Sequence, residues 1–329
     1  MSSPTFTQPS HDELLTLLNR YDLGAYRKHS VASNGIENSN YFLVLDQHDK
    51  IQEYVLTILE QPSTSSESLV PLLDLCADKG LPVPPIKRNR AGAAYEEICS
   101  KPAIITPRLP GQHAFNPTSK QCVALGRFIA RFHLATRSIV PDLPAYPRDQ
   151  AWLKTQANLT KGYVPFADQE LIENTVSRVC DMLNRQDVNK LPHGVIHGDL
   201  FRDNVLFNER GLSGVLDFHH ASAGPWLYDI AVAANDWCTD TGGVLDPDRT
   251  MALLRAYHQV RPLTPEEIWF FSSFTLYGAV AFWLSRLSVA LHRDANDTVR
   301  FNNPDEFKDI VAHHSAHFFY LDQRLLNTG

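Results

Sequence analysis

Residues 195–207, "VIHGDLFRDNVLF", decide how this chain folds and what chemistry it can carry. The apolar ends, "VI" and "VLF", read as short strands. Between them stand His197, Asp199, Arg202, Asp203 and Asn204. Asp and Asn gather in turns because they hydrogen-bond their own backbone, so the stretch alone reads as strand, polar turn and strand. Downstream, "NERGLSG" is rich in chain-reversing residues, and "GVLDF" then returns another carboxylate, Asp217. Such a hairpin would carry Asn204 and Asp217 to one end of neighbouring strands.

Toward the N-terminus the pattern is strand-rich. Ser10 and Glu13 have capping-box spacing ahead of Leu14, Leu15, Leu17 and Leu18, which predicts a first helix. "YFLVLD" and "EYVLTILE" predict a hairpin turning through Gln47, His48 and Asp49. Leu69, Leu72, Leu73 and Cys76 recur at helical spacing with Gly80 as a stop, and "KPAIITPRL" reads as a further strand. This order predicts an N-terminal lobe over 1–109. Pro110 and Gly111 interrupt regular structure, and Asn116 with Pro117 can start a helix. Helical periodicity over 122–133, 169–183, 250–260 and 265–291 makes the lobe over 110–329 mainly helical, with strand pieces around the opening stretch. The expected fold is α+β and two-lobed.

Hydrophobic residues at 43% and charged residues at 20% describe a soluble globular protein. The net charge of -7 argues against a nucleic-acid partner. Cys76, Cys99, Cys122, Cys180 and Cys238 include no CxxC pair, which predicts reduced thiols. No charged leader precedes an apolar run at the N-terminus, and Ser272, Ser273 and Arg286 interrupt "FSSFTLYGAVAFWLSRL". A cytoplasmic protein with no membrane partner is therefore expected.

Phosphoryl transfer gives the central cluster a purpose. Magnesium prefers oxygen ligands, which Asn204 and Asp217 supply, and Asp199 can orient a substrate hydroxyl and accept its proton. The four residues between Asp199 and Asn204 match the D-x-x-x-x-N spacing of kinase catalytic loops. A zinc-hydrolase reading would gather His197, Asp199, Asp217, His219 and His220. It lacks a helix-borne zinc pattern, and adjacent His219 and His220 would face opposite sides of a strand.

"VIHGDLFRDNVLF" and "GVLDFHHASAGPWLYDIA" together resemble the catalytic core of the aminoglycoside and choline phosphotransferase superfamily, whose fold is similar to that of protein kinases. "NGIENSNYFLVL", "YVLTILE" and "FWLSRL" make the bacterial homoserine kinases of that superfamily the nearer likeness. The resemblance implies Asp199 as catalytic aspartate, Asn204 and Asp217 as Mg2+ ligands, and His197 and Asp229 as supports of the loop. It implies ATP as donor and L-homoserine as acceptor, giving O-phospho-L-homoserine on the way to threonine. Asn34, Gly35, Asn38 and Asn40 would approach phosphate. Thr57 stands where many relatives carry a phosphate-pairing lysine, a substitution that homoserine kinases share. Arg202, Trp237 and Arg286 are the acceptor-side candidates. A kinase of choline, an aminoglycoside or another amino alcohol is the alternative, and Thr57 motivates a third reading, a silent nucleotide-binding module.

Overall fold

Ser10 caps the first helix, α1 (His11–Leu18), in a reciprocal capping box. Its hydroxyl accepts from the Glu13 N–H at 3.2 Å, and the Glu13 carboxylate accepts from the Ser10 N–H at 2.7 Å. The computed structural model describes residues 7–32, 38–60, 65–137, 143–291 and 303–326. Within it α1 buries Leu14, Leu17 and Leu18 in the core of an antiparallel sheet. The sheet comprises β1 (Ala25–Val31), β2 (Ser39–Gln47), β3 (Lys50–Ile58), β4 (Glu96–Ile98) and β5 (Lys101–Pro107), ordered β1-β2-β3-β5-β4. Helix α2 (Ser65–Asp78) falls between β3 and β4 in the chain.

The β2–β3 hairpin closes at Gln47↔Lys50 through His48 and Asp49, whose φ angles of 53° and 60° match the right-handed strand twist. Strands β1 and β4 have no counterpart in the sequence reading. They form the two edges of the sheet, and β1, "AYRKHSV", is mostly exposed, so no apolar alternation marks it.

The chain divides into two compact units at Pro110/Gly111. In the second unit β6 (Gln112–His113) precedes α3 (Ser119–Thr136), α4 (Gln150–Leu159) and α5 (Phe166–Leu183). Next come β7 (His193–Ile196), β8 (Val205–Asn208), β9 (Gly211–Val215) and β10 (Ser222–Pro225), in the pairings β6-β8-β9 and β7-β10. Helices α6 (Trp226–Trp237), α7 (Pro247–Val260), α8 (Pro265–Leu291) and α9 (Pro304–Ala316) follow. Helix α3 begins two residues beyond the Asn116–Pro117 expectation, because Thr118 rather than Asn116 reaches the Gln121 N–H and closes a capping box. At Gly126 on α3 an added Cβ would lie 2.3 Å from the Leu253 carbonyl, so a missing side chain lets α3 and α7 approach.

Helix α8 corrects one expectation. By length and composition it could cross a membrane despite Ser272, Ser273 and Arg286, although 61% of its most apolar window is buried inside the fold. It packs on α5, α6 and α9. The five cysteines are free thiols, and all but Cys99 are buried.

Candidate active site

Strand β7 buries Val195 and Ile196 and delivers His197, fully buried, to the start of a polar turn. Gly198 follows at φ 79°, where an added Cβ would meet the His220 carbonyl at 3.1 Å. Both its backbone angle and its surroundings favour glycine. The turn is anchored from α6. The fully buried Asp229 carboxylate accepts the His197 and Gly198 N–H groups, each at 2.8 Å, and faces His133 Nε2 of α3 at 3.1 Å.

His197 braces the next step. Its Nδ1 accepts from the Asp199 N–H at 3.3 Å, which leaves Nε2 to donate to the Leu216 carbonyl at 2.9 Å. Burial holds its pKa below the usual imidazole value and favours that neutral form. One ring thus joins the backbone of Asp199 to the residue preceding Asp217.

The β8–β9 register, Val205↔Val215, continues as a Leu216 N–H to Asn204 carbonyl bond of 2.8 Å. Asn204 and Asp217 therefore leave the same end of the hairpin. Asn204 Nδ2 donates to the Asp199 carbonyl at 2.8 Å and to its carboxylate at 2.9 Å, with Oδ1 free of a hydrogen bond among the described residues. Asp217 is exposed and held in the left-handed region at φ 58°, ψ 64°, a costly conformation for a non-glycine residue. Burial pushes the Asp199 carboxyl up to about 7, aided by Asp217 and Asp203 and opposed by His220 and Arg148. Among the described residues no group of three or more His, Cys, Asp or Glu side chains could hold a metal ion by themselves.

Each of the acceptor-side candidates has partners within the fold. Arg202 is bound to Asp236 through its backbone N–H at 2.7 Å and its guanidinium at 3.1 Å, and it also donates to the Phe115 carbonyl at 2.8 Å. Trp237 is fully buried, with Nε1 donating to the Leu200 carbonyl at 3.0 Å, so it supports the turn from behind. Arg286 donates to the Asn303 carbonyl and the Glu306 carboxylate, each at 2.8 Å, and lies over the Phe307 ring.

In the first unit, Thr57 pairs with Asn40 across β2 and β3 and donates to its Oδ1 at 2.7 Å. Asn38 Oδ1 accepts from the Glu60 N–H at 3.3 Å. Asn34 and Gly35 lie outside the described residues. Lys101 starts β5 at the same end of the sheet, its ammonium bound to Glu60 and, at 2.7 Å, to Thr7. Two groups acting on Asp199, His220 and Arg148, were not among the phosphotransfer site residues read from the sequence. His220 entered only the zinc reading, alongside its neighbour His219, and both lie in the 3-10 turn Phe218–His220. Arg148 belongs to no motif, and its sealed, unpartnered Nη1 is what reveals it.

A strand-rich unit followed by a mainly helical one, with a half-buried aspartate bound to the asparagine at a hairpin end, fits a kinase-like phosphotransferase. The model of the phosphotransferase enzyme family matches residues 28–263, and the chain belongs to that family. Within it the chain is 37% identical over 328 residues to the homoserine kinase of Cupriavidus pinatubonensis, covering 94% of this chain and 96% of that one. It is 36% identical over 308 residues to the homoserine kinase of Pseudomonas aeruginosa, covering 93% and 95%. In fold it is similar to amicoumacin kinase, solved in complex with AMP-PNP, Ca2+ and Ami, at a TM-score of 0.65 and 16% identity over 93% and 95% of the two chains.

Proposed function

We propose that the chain is a cytoplasmic homoserine kinase, which converts ATP and L-homoserine to ADP and O-phospho-L-homoserine, a step toward threonine, with no nucleic-acid or membrane partner. The observation that carries this reading is the likeness to curated homoserine kinases along nearly the whole of both chains. The site supports it. Asp199 orients the acceptor hydroxyl and takes its proton as the oxygen bonds to the γ-phosphorus. A carboxyl pushed up to about 7 is a competent proton acceptor near neutral pH. His197 and Asp229 hold the turn that presents it.

The free Asn204 Oδ1 and the exposed Asp217 carboxylate are an oxygen donor set that fits Mg2+. When bound, the ion offsets charge on the transferring phosphoryl oxygens. The unit over 1–109 would bind the nucleotide, with Asn34, Gly35, Asn38, Asn40 and Thr57 toward its phosphates. The unit over 110–329 would hold the catalytic turn and the acceptor.

Incubation with ATP, magnesium and an acceptor panel of homoserine, choline and aminoglycosides tests the reading by mass spectrometry. Phosphohomoserine is the expected product, and turnover of another acceptor without it would overturn the assignment. Asp199→Asn should lower kcat by about 10²- to 10⁴-fold with nucleotide binding retained. Saturable ATP binding without acceptor-dependent ADP release would instead favour a silent module.

A further inference from the structure

An amino-acid acceptor brings a carboxylate as well as a hydroxyl, and a charged group must meet it. The run "YPR" at 146–148 lies beside β10, where the Tyr146 N–H donates to the Ala223 carbonyl at 3.0 Å. The Arg148 backbone is fixed in turn, its carbonyl accepting from the Tyr277 hydroxyl at 2.8 Å. Its guanidinium lies 4.2 Å from the centre of the Phe282 ring, and the Tyr146 hydroxyl meets that of Tyr228.

Arg148 Nη1 is sealed from solvent and has no hydrogen-bond partner among the described residues, and no carboxylate there stands at ion-pair distance. Arg261, by contrast, is buried with the Glu267 carboxylate 2.8 Å away. Enclosing a cation without a counter-charge is costly. The residue nevertheless keeps partial exposure, and its run lies beside the turn that carries Asp199, since a Cβ added at Gly198 would be 3.6 Å from the Tyr146 ring.

We propose that Arg148 is the specificity-determining clamp that takes the α-carboxylate of the amino acid whose hydroxyl Asp199 orients. The assignment rests on the homoserine-kinase reading. A guanidinium held over an aromatic face on a backbone fixed by Tyr277 can offer a carboxylate a fork of donors with little reordering, and Arg202 and Arg286 are already engaged.

The test compares kcat/KM for L-homoserine and for 3-amino-1-propanol, which is homoserine without its carboxylate, in wild type, Arg148→Met and Arg148→Lys. Wild type should prefer homoserine by roughly ten- to a hundredfold. Arg148→Met should erase that preference chiefly through the homoserine KM, and Arg148→Lys should restore part of it, keeping the charge without the fork. Equal losses on both acceptors in either variant would overturn the clamp. Should Arg148→Met fail to fold, the wild-type ratio and Arg148→Lys still decide, since a wild type that does not distinguish the two acceptors has no clamp. A wild type that uses neither homoserine nor 3-amino-1-propanol overturns the homoserine reading together with the clamp. Homoserine turnover with an unchanged preference in the variants overturns the clamp alone.

Discussion

Asp229 shows how much of a turn can hang on one side chain. It accepts two consecutive backbone N–H groups, and His133 bridges it to the Tyr257 hydroxyl at 2.8 Å. Asp229→Asn would turn an amide NH2 toward donors and leave a buried N–H unpaired. The expected cost is about 3 kcal/mol in urea unfolding, with kcat falling alongside. A loss below about 1 kcal/mol would mean that the turn is held by other contacts. Asp229 was legible through "YDIA". His133 was not, because one histidine on an otherwise apolar helical face carries no pattern.

At the scale of elements, periodicity located α5, α7 and α8, and the turn residues of "NERGLSG" located the hairpin whose end carries Asn204 and Asp217. What pairs with each arginine was not legible, since those partners are brought by folding from distant parts of the chain. Arg286 illustrates this: it ties α8 to α9 through Glu306, whose side chain is 63% exposed. Arg286→Ala should therefore cost under about 1 kcal/mol in thermal or urea unfolding, and homoserine KM should stay within about twofold of wild type. A tenfold rise in that KM would return Arg286 to the acceptor site.

Across the molecule, the first unit is knotted at one end of its sheet by Glu60, which joins Thr7, Ser39 and Lys101. Burial alone would raise its carboxyl pKa, but hydrogen bonds from Lys101, Ser39 and Thr7 outweigh it and draw the value down to about 2. A folded pKa below the unfolded one stabilises the fold above the unfolded value near 4.3 and ceases to do so as pH falls through about 2. Unfolding of wild type and Glu60→Gln should accordingly differ most above about pH 5 and converge toward pH 2. A constant difference across that range would show that the charge of Glu60 is not what holds the knot.

The amides of His197 and Gly198 donate to a carboxylate shielded from solvent, between a buried strand and a buried helix. Exposing them to deuterium requires β7 and α6 to part, which breaks the core of the second unit. Their exchange should track the global unfolding of that unit, making them among its slowest amides, and exchange at loop-like rates would contradict it. On the proposed mechanism, the residue assigned to take the acceptor proton would then adjoin one of the least mobile backbone segments of its unit.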